Sequence, residues 1–233
     1  MPDSVMYGSA RAPAPAVAAA LDSVAARGGF FALRVGGPDD GWHPLADSYA
    51  RGFTDLAHRV AARYDTGELR IGVSIAHLGH AARLWSPVLA CTLLHGIVPD
   101  LTELQRADDG PALRLPRPAG WYADRLPDAT AVLGDQVMGH LHALAAGLDI
   151  KVAPRLLDGN AGSALAEAGR ALLDLDPALR DRLTDLTTRL LATGRLAGTG
   201  RLTSPDLGFR RRSCCLYYRT PTGAKCGDCC LAD

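Results

Sequence analysis

Between Ile71 and Pro99 the chain carries one formal charge, Arg83. A stretch so nearly uncharged has to leave water, either for a protein core or for a bilayer. His77, His80, Pro87 and His95 interrupt it, and its longest uncharged stretches fall short of the ~18 residues a membrane span needs. The reading is a buried central helix, kinked or broken near Pro87, because proline removes a backbone donor and clashes with the preceding turn. Cys91, set among Leu89, Leu93 and Leu94, reads as a small buried hydrophobe. Hydrophobic residues make up 48% of the chain, enough to bury such a helix. Twenty-five basic residues balance twenty-five acidic ones, which speaks against a nucleic-acid binder or a protein of anionic membrane surfaces.

The flanking elements follow from periodicity and punctuation. Residues 1 to 12 show no period and read as a poorly ordered terminus. Val17, Leu21 and Val24 recur at helical spacing and stop at Gly28-Gly29. Phe30 to Val35 reads as a strand and Gly36 to Gly41 as a loop. Leu45, Tyr49, Phe53, Leu56, Val60 and Tyr64 predict one long amphipathic helix. Residues 105 to 128, with four prolines, predict a long loop with a possible short strand at Ala112 to Leu115. Three helices follow. The first carries Val132 or Leu133, Val137, Leu141, Leu144 and Leu148, and the second Leu165, Ala168, Leu172 and Leu175. The third starts with Asp176 as N-cap and Pro177 at the first helical position, runs through Leu179, Leu183, Leu186 and Leu190, and stops at Gly194. Gly194, Gly198 and Gly200 then read as a flexible link. The fold class expected is α+β, predominantly helical, with a few short strands. Residues 1–200 form a helical substrate-binding or scaffold domain, and residues 201–233 a C-terminal cluster-binding segment.

That last segment holds five of the six cysteines within 17 positions: Cys214, Cys215, Cys226, Cys229 and Cys230. The Ala-rich stretch from Pro13 to Ala26 lacks a compact cationic lead and is interrupted by Asp22, so it makes a poor signal peptide and a cytoplasmic location is expected. In a reducing compartment, clustered thiols read as metal-binding or catalytic before they read as disulfides. Gly227-Asp228 make a tight turn between Cys226 and Cys229 that suits zinc or iron equally. Cys214 and Cys215 are adjacent, and neighbouring side chains in extended chain point to opposite sides. One tetrahedral ion is awkward for such a pair, whereas a binuclear cluster offers it two metal atoms.

The spacing Cys214-Cys215-x10-Cys226-x2-Cys229, with Leu216-Tyr217-Tyr218-Arg219 after the pair and Gly227-Asp228 inside the second, resembles the C-terminal motif of the ferric-siderophore reductases of the FhuF type. Leu84 to Ala90 and Gly96 to Leu101 are more loosely similar to the family's longer domain. The resemblance implies that Cys214, Cys215, Cys226 and Cys229 hold a [2Fe-2S] cluster as cofactor and metal site. It also implies one-electron reduction of a ferric siderophore, hydroxamate in type, in the cytoplasm, with a ferredoxin or flavoprotein as electron donor. Cys230 is a fifth thiol where the pattern needs none.

Other motifs are weaker. Gly198-Thr199-Gly200 is no dinucleotide fingerprint and there is no phosphate-binding loop, so electrons must come from a partner. His77 with His80, and His140 with His142, lack carboxylate or cysteine company and read as core or surface histidines. Trp42-His43-Pro44 and Trp121-Tyr122 read as cleft lining or as core. Arg210, Arg211 and Arg212 precede the cysteines; they would raise a cluster's potential, dock an anionic partner, or form a solvated patch. The rival functions are an iron-sulfur carrier or sensor without catalysis, and a scaffold protein with a structural zinc tail.

Overall fold

A computed structural model describes residues 7 to 232. Residues 1 to 6 of the irregular N-terminal segment lie outside the described residues, and Gly8–Ala10 forms a 3-10 turn. Seven α-helices and eight short strands are present among the described residues, so the chain is a predominantly helical α+β protein. It divides into two compact units, Met1–Leu45 with Arg83–Gly139, and Ala46–Ala82 with His140–Asp233.

The first unit holds α1 (Ala14–Ala25), whose Val17, Leu21 and Val24 are fully buried as their spacing predicts. Gly28 and Gly29 end the helix with positive φ. The strand expected from Phe30 is shorter than the apolar run: Gly29–Phe31 is a 3-10 turn with Phe30 exposed, and β1 covers Leu33–Val35. Strand β2 (Trp42–Pro44) follows the glycine loop. The proline-rich stretch is more ordered than expected. It contains β4 (Gln105–Ala107), β5 (Leu113–Leu115) and β6 (Gly120–Tyr122), and β6 pairs with β3 (Ile97–Pro99). The larger sheet has the order β1-β5-β4-β2, with β1 and β5 parallel and the other pairs antiparallel. Helix α1 packs on β1 and β3.

Two aromatic groups of this unit belong to its packing. Trp42 carries Arg114 at 4.9 Å and Arg34 at 5.5 Å, and Trp121, buried, carries Arg11 at 4.8 Å. Arg114, itself buried, closes the glycine loop by donating to Gly37 O at 3.1 Å and to Asp39 at 2.7 Å.

In the second unit, the single helix expected from Leu45 to Tyr64 is broken into α2 (Leu45–Ala50) and α3 (Thr54–Arg63). Gly52 and Phe53 between them both have positive φ, and a Cβ on Gly52 would come within 2.6 Å of Gly147 O. The break is imposed by a backbone contact that an amphipathic pattern does not encode. Helix α4 (Leu69–His95) is the expected central helix, and it runs through Pro87 without a break. The unit boundary falls within α4 and within α5 (Ala129–Ala146). Helix α6 (Pro154–Leu175) is twice the length its apolar spacing from Leu165 to Leu175 suggested. Asp176 accepts from Ala178 N–H at 3.2 Å, Pro177–Leu179 forms a 3-10 turn, and α7 (Arg180–Leu191) continues with Leu183, Leu186 and Leu190 buried. The supposed flexible link is a hairpin: β7 (Gly200–Leu202) pairs with β8 (Phe209–Arg211), and both pack on α6. No helix among the described residues is long and apolar enough to cross a membrane.

Candidate metal centre

The cysteine segment sits on a helix with a glycine face. Gly159, Gly162 and Gly169 of α6 fall close to one stripe. A Cβ on Gly159 would overlap Ser213 Oγ and stand 3.0 Å from the Arg211 guanidinium; on Gly162 it would lie 2.6 Å from Thr199 Oγ1, and on Gly169 2.7 Å from Leu207 Cδ1. Each helical glycine costs about 1 kcal/mol against alanine. The cost is offset because the chain from Thr199 to Ser213 can lie directly on the helix backbone.

Strand periodicity then separates three arginines that read alike in sequence. Arg210 is half-buried, Arg211 only 2% exposed, and Arg212 exposed. Arg211 Nη2 donates to Asn160 Oδ1 at 2.7 Å and to Leu156 O at 3.3 Å, while its Nε is buried without a partner. Asn160 in turn donates to Ser74 O at 2.9 Å, and Ser74 Oγ donates to Cys215 O at 2.8 Å. One residue each from α4, α6 and β8 therefore fixes the first cysteine pair. The Arg211 backbone N–H donates to Asp228 O at 3.1 Å, joining this half of the motif to the second. The Asp228 carboxylate, buried, accepts from Ser163 Oγ at 2.5 Å, with Arg170 3.9 Å away.

The thiols are arranged on this base. Cys229 N–H donates to Cys226 O at 3.0 Å, so Gly227-Asp228 form the tight turn the sequence suggests. Cys214 and Cys215 have different partners: Cys214 Sγ accepts from Leu216 N–H at 3.3 Å, while Cys215 Sγ stands 3.5 Å from Cys226 Sγ. Leu216 holds a left-handed φ of 70°, a costly conformation for a branched side chain and a feature of functional turns. Cys229 Sγ accepts from Leu231 N–H at 3.3 Å. Cys215 and Cys229 are buried, and Cys214, Cys226 and Cys230 half-buried.

Electrostatics follow the same layout. Cys215 is lowered to about 6, first by its hydrogen bond with Cys226, then by the Tyr217 N–H and the Arg211 charge, against the opposing effect of burial. Cys226 is raised by the same shared proton. Cys214 is raised by burial, an effect that the Leu216 N–H partly opposes. Among the described residues no three His, Cys, Asp or Glu side chains are gathered closely enough to hold a single metal ion.

The remaining candidates lie elsewhere in the fold. Cys91 is fully buried, and burial pushes its thiol up to about 12. His77 is buried with Nδ1 unpartnered, and burial lowers it to about 4, helped by the Arg211 charge. His80 and His140 both meet the Tyr49 hydroxyl, at 2.8 and 3.1 Å, and His142 is exposed. Ser74, Asn160 and Ser163 were not legible as site residues. The one signal was Asn160 with its glycine neighbours in an otherwise helical stretch, which reads as a turn.

N–H donors to sulfur, five thiols within one short segment and a buried guanidinium without a carboxylate partner suit an iron-sulfur centre by the chemistry of the donor set. Residues 211–231 match the family model described as the FhuF 2Fe-2S C-terminal domain, so this segment is a domain of the FhuF type and its cofactor is a [2Fe-2S] cluster. No curated protein and no solved structure matches the chain. The residues present fit the group, since a buried cation with an unmet donor is stabilised by an anionic neighbour.

Proposed function

We propose that the chain is a cytoplasmic ferric-siderophore reductase in which Cys214, Cys215, Cys226 and Cys229 hold the [2Fe-2S] cluster. The observation that carries this reading is the buried Arg211 behind the cysteine pair, inside the segment that matches the FhuF domain. When bound, the cluster would supply one-electron transfer between a ferredoxin or flavoprotein donor and the Fe(III) of the chelate, whose Fe(II) form is held far more weakly by hard oxygen ligands. Arg211 opposes the negative charge gained on reduction and so favours the reduced form. The N–H groups of Leu216, Tyr217 and Leu231 act in the same sense on the sulfurs. Ser74 and Asn160 hold the guanidinium and the Cys215 backbone in place. Residues 1–200 supply the scaffold and the substrate surface, and residues 201–233 the cluster segment.

Anaerobic purification followed by iron, sulfide and zinc analysis tests the centre, with about two irons and two sulfides per chain expected. Mixing the reduced protein separately with a ferric trihydroxamate and with ferric citrate tests the reaction. Loss of the reduced spectrum with release of Fe(II) supports it. Stoichiometric zinc without sulfide overturns the whole reading, and a cluster that ferric chelates do not reoxidise leaves a carrier or sensor.

A further inference from the structure

A cavity of about 400 Å³ opens beside the cysteine segment, lined by Arg155, Asp158, Arg195, Arg212, Ser213 and the backbone turn at Ala197 to Thr199. Its size falls within the range of small-molecule sites. Three guanidinium groups against one carboxylate leave two positive charges facing it. Arg195 is already committed, binding both Asp158 oxygens at 2.9 and 3.1 Å. Arg155 and Arg212 have no carboxylate partner among the described residues, and both are exposed. Arg212 is fixed at its backbone, where its N–H donates to Thr199 O at 2.8 Å.

The helix beneath adds to the same charge. Arg155 and Asp158 belong to the opening of α6, a helix of 22 residues whose N-cap is Ala153 with no side-chain cap. Leu156 and Leu157 N–H are already satisfied by Ala153 O, and what remains at that end is the positive pole of the helix dipole, which favours an anion. One peptide separates the cavity wall at Ser213 from the thiol-bearing Cys214.

On the reductase reading, which this rests on, we infer that the cavity binds an anionic, carboxylate-bearing ferric chelate of the hydroxycarboxylate class. Guanidinium forks match carboxylates bidentately, and two uncommitted arginines suit a ligand with at least two carboxylates left outside the metal shell. A neutral trihydroxamate has no free carboxylate to pair with these charges. The carboxylates sit on Arg155 and Arg212, and the chelated metal faces the cysteine side.

The test is calorimetric titration of the cluster-loaded full chain with gallium(III) citrate, in which a redox-inert ion takes the place of Fe(III). Saturable binding is expected, weakened about a hundredfold or more in R155Q/R212Q, since two charge-assisted contacts are lost together. R155K/R212K keeps the charge without the fork and should fall between. Both positions are exposed, and unchanged circular dichroism will confirm that the variants fold. The inference is overturned if gallium citrate does not bind, if the Gln variant binds it as well as the parent, if metal-free citrate binds equally tightly, or if a neutral gallium trihydroxamate shows the same loss in the variant. Reoxidation of the reduced cluster by ferric chelates is scored separately, so failure of the reductase reading and failure of this site give different results.

Discussion

Two buried polar groups flank the same stretch of α4, and they treat charge differently. Around His80, the Tyr49 hydroxyl lies between two imidazoles at 2.8 and 3.1 Å, a neutral arrangement with Phe53 edge-on to His80. Around Ser74, Asn160 and the Cys215 carbonyl hold neutral contacts as well, but they enclose a full positive charge on Arg211 with its Nε unmet. The first group can be explained by packing alone. The second cannot, because burying a guanidinium without a counter-charge costs several kcal/mol, and the nearby sulfurs are the groups able to supply one.

The hardest way to break this contrast is to remove the sulfurs. Changing Cys214, Cys215, Cys226 or Cys229 to Ser should abolish most of the bound iron and sulfide, whereas Cys230→Ser and Cys91→Ser should retain both. Loss on Cys230→Ser with retention on Cys229→Ser would shift the ligand register by one.

Next in size is Arg211→Gln. It should lower the midpoint potential, read by dye-mediated titration, and destabilise the protein by roughly 1.5–3 kcal/mol in denaturant, as expected for hydrogen bonds from a charged donor. Arg210→Gln and Arg212→Gln, at more solvated positions, should change the potential less. Equal shifts from all three would deny Arg211 its separate role.

His77 sharpens the comparison through pH. Its folded value of about 4 lies below the ordinary 6.5, so between those values the unfolded chain binds more protons than the folded one. The stability from keeping it neutral is complete above about pH 6.5 and is lost as pH falls through about 4, on the order of 3 kcal/mol in all. His77→Leu should flatten this acid limb by about one proton in a urea series across pH; an unchanged slope would assign the limb to other groups.

Tyr49→Phe, which removes the shared hydroxyl, should cost about 1–3 kcal/mol and leave the potential alone. A shifted potential would mean that the two polar groups are electrically connected. Smallest is Glu68→Gln, which releases Arg219 from a half-exposed pair at 2.6 Å and should cost under about 1 kcal/mol.

What could be read in the sequence was whatever one element decides by itself. Val17, Leu21 and Val24 mark α1, the uncharged run marks α4, and Asp176 with Pro177 marks the turn into α7. The thiol spacing identified the cofactor because ligand order is written along the chain. Glycine was misread where its purpose was contact between elements. Gly52 ends a helix because another backbone lies against it, and Gly200 was taken for a flexible link although Phe209 covers it. Arg210 to Arg212 looked equivalent until β8 gave them sides.

The glycine face of α6 also bears on the order in which the protein matures on the ribosome. Its three glycines weaken the isolated helix by about 1 kcal/mol each, and the segment that compensates for them, Thr199 to Ser213, is translated after it. At 5–20 residues per second the interval is a few seconds. The first unit has its last residue by Gly139, while the second runs from Ala46 to the tail and is complete only when the tail has been made. The half that carries the clustered thiols is thus the last to be completed, and until then α6 lacks the segment that covers its glycines.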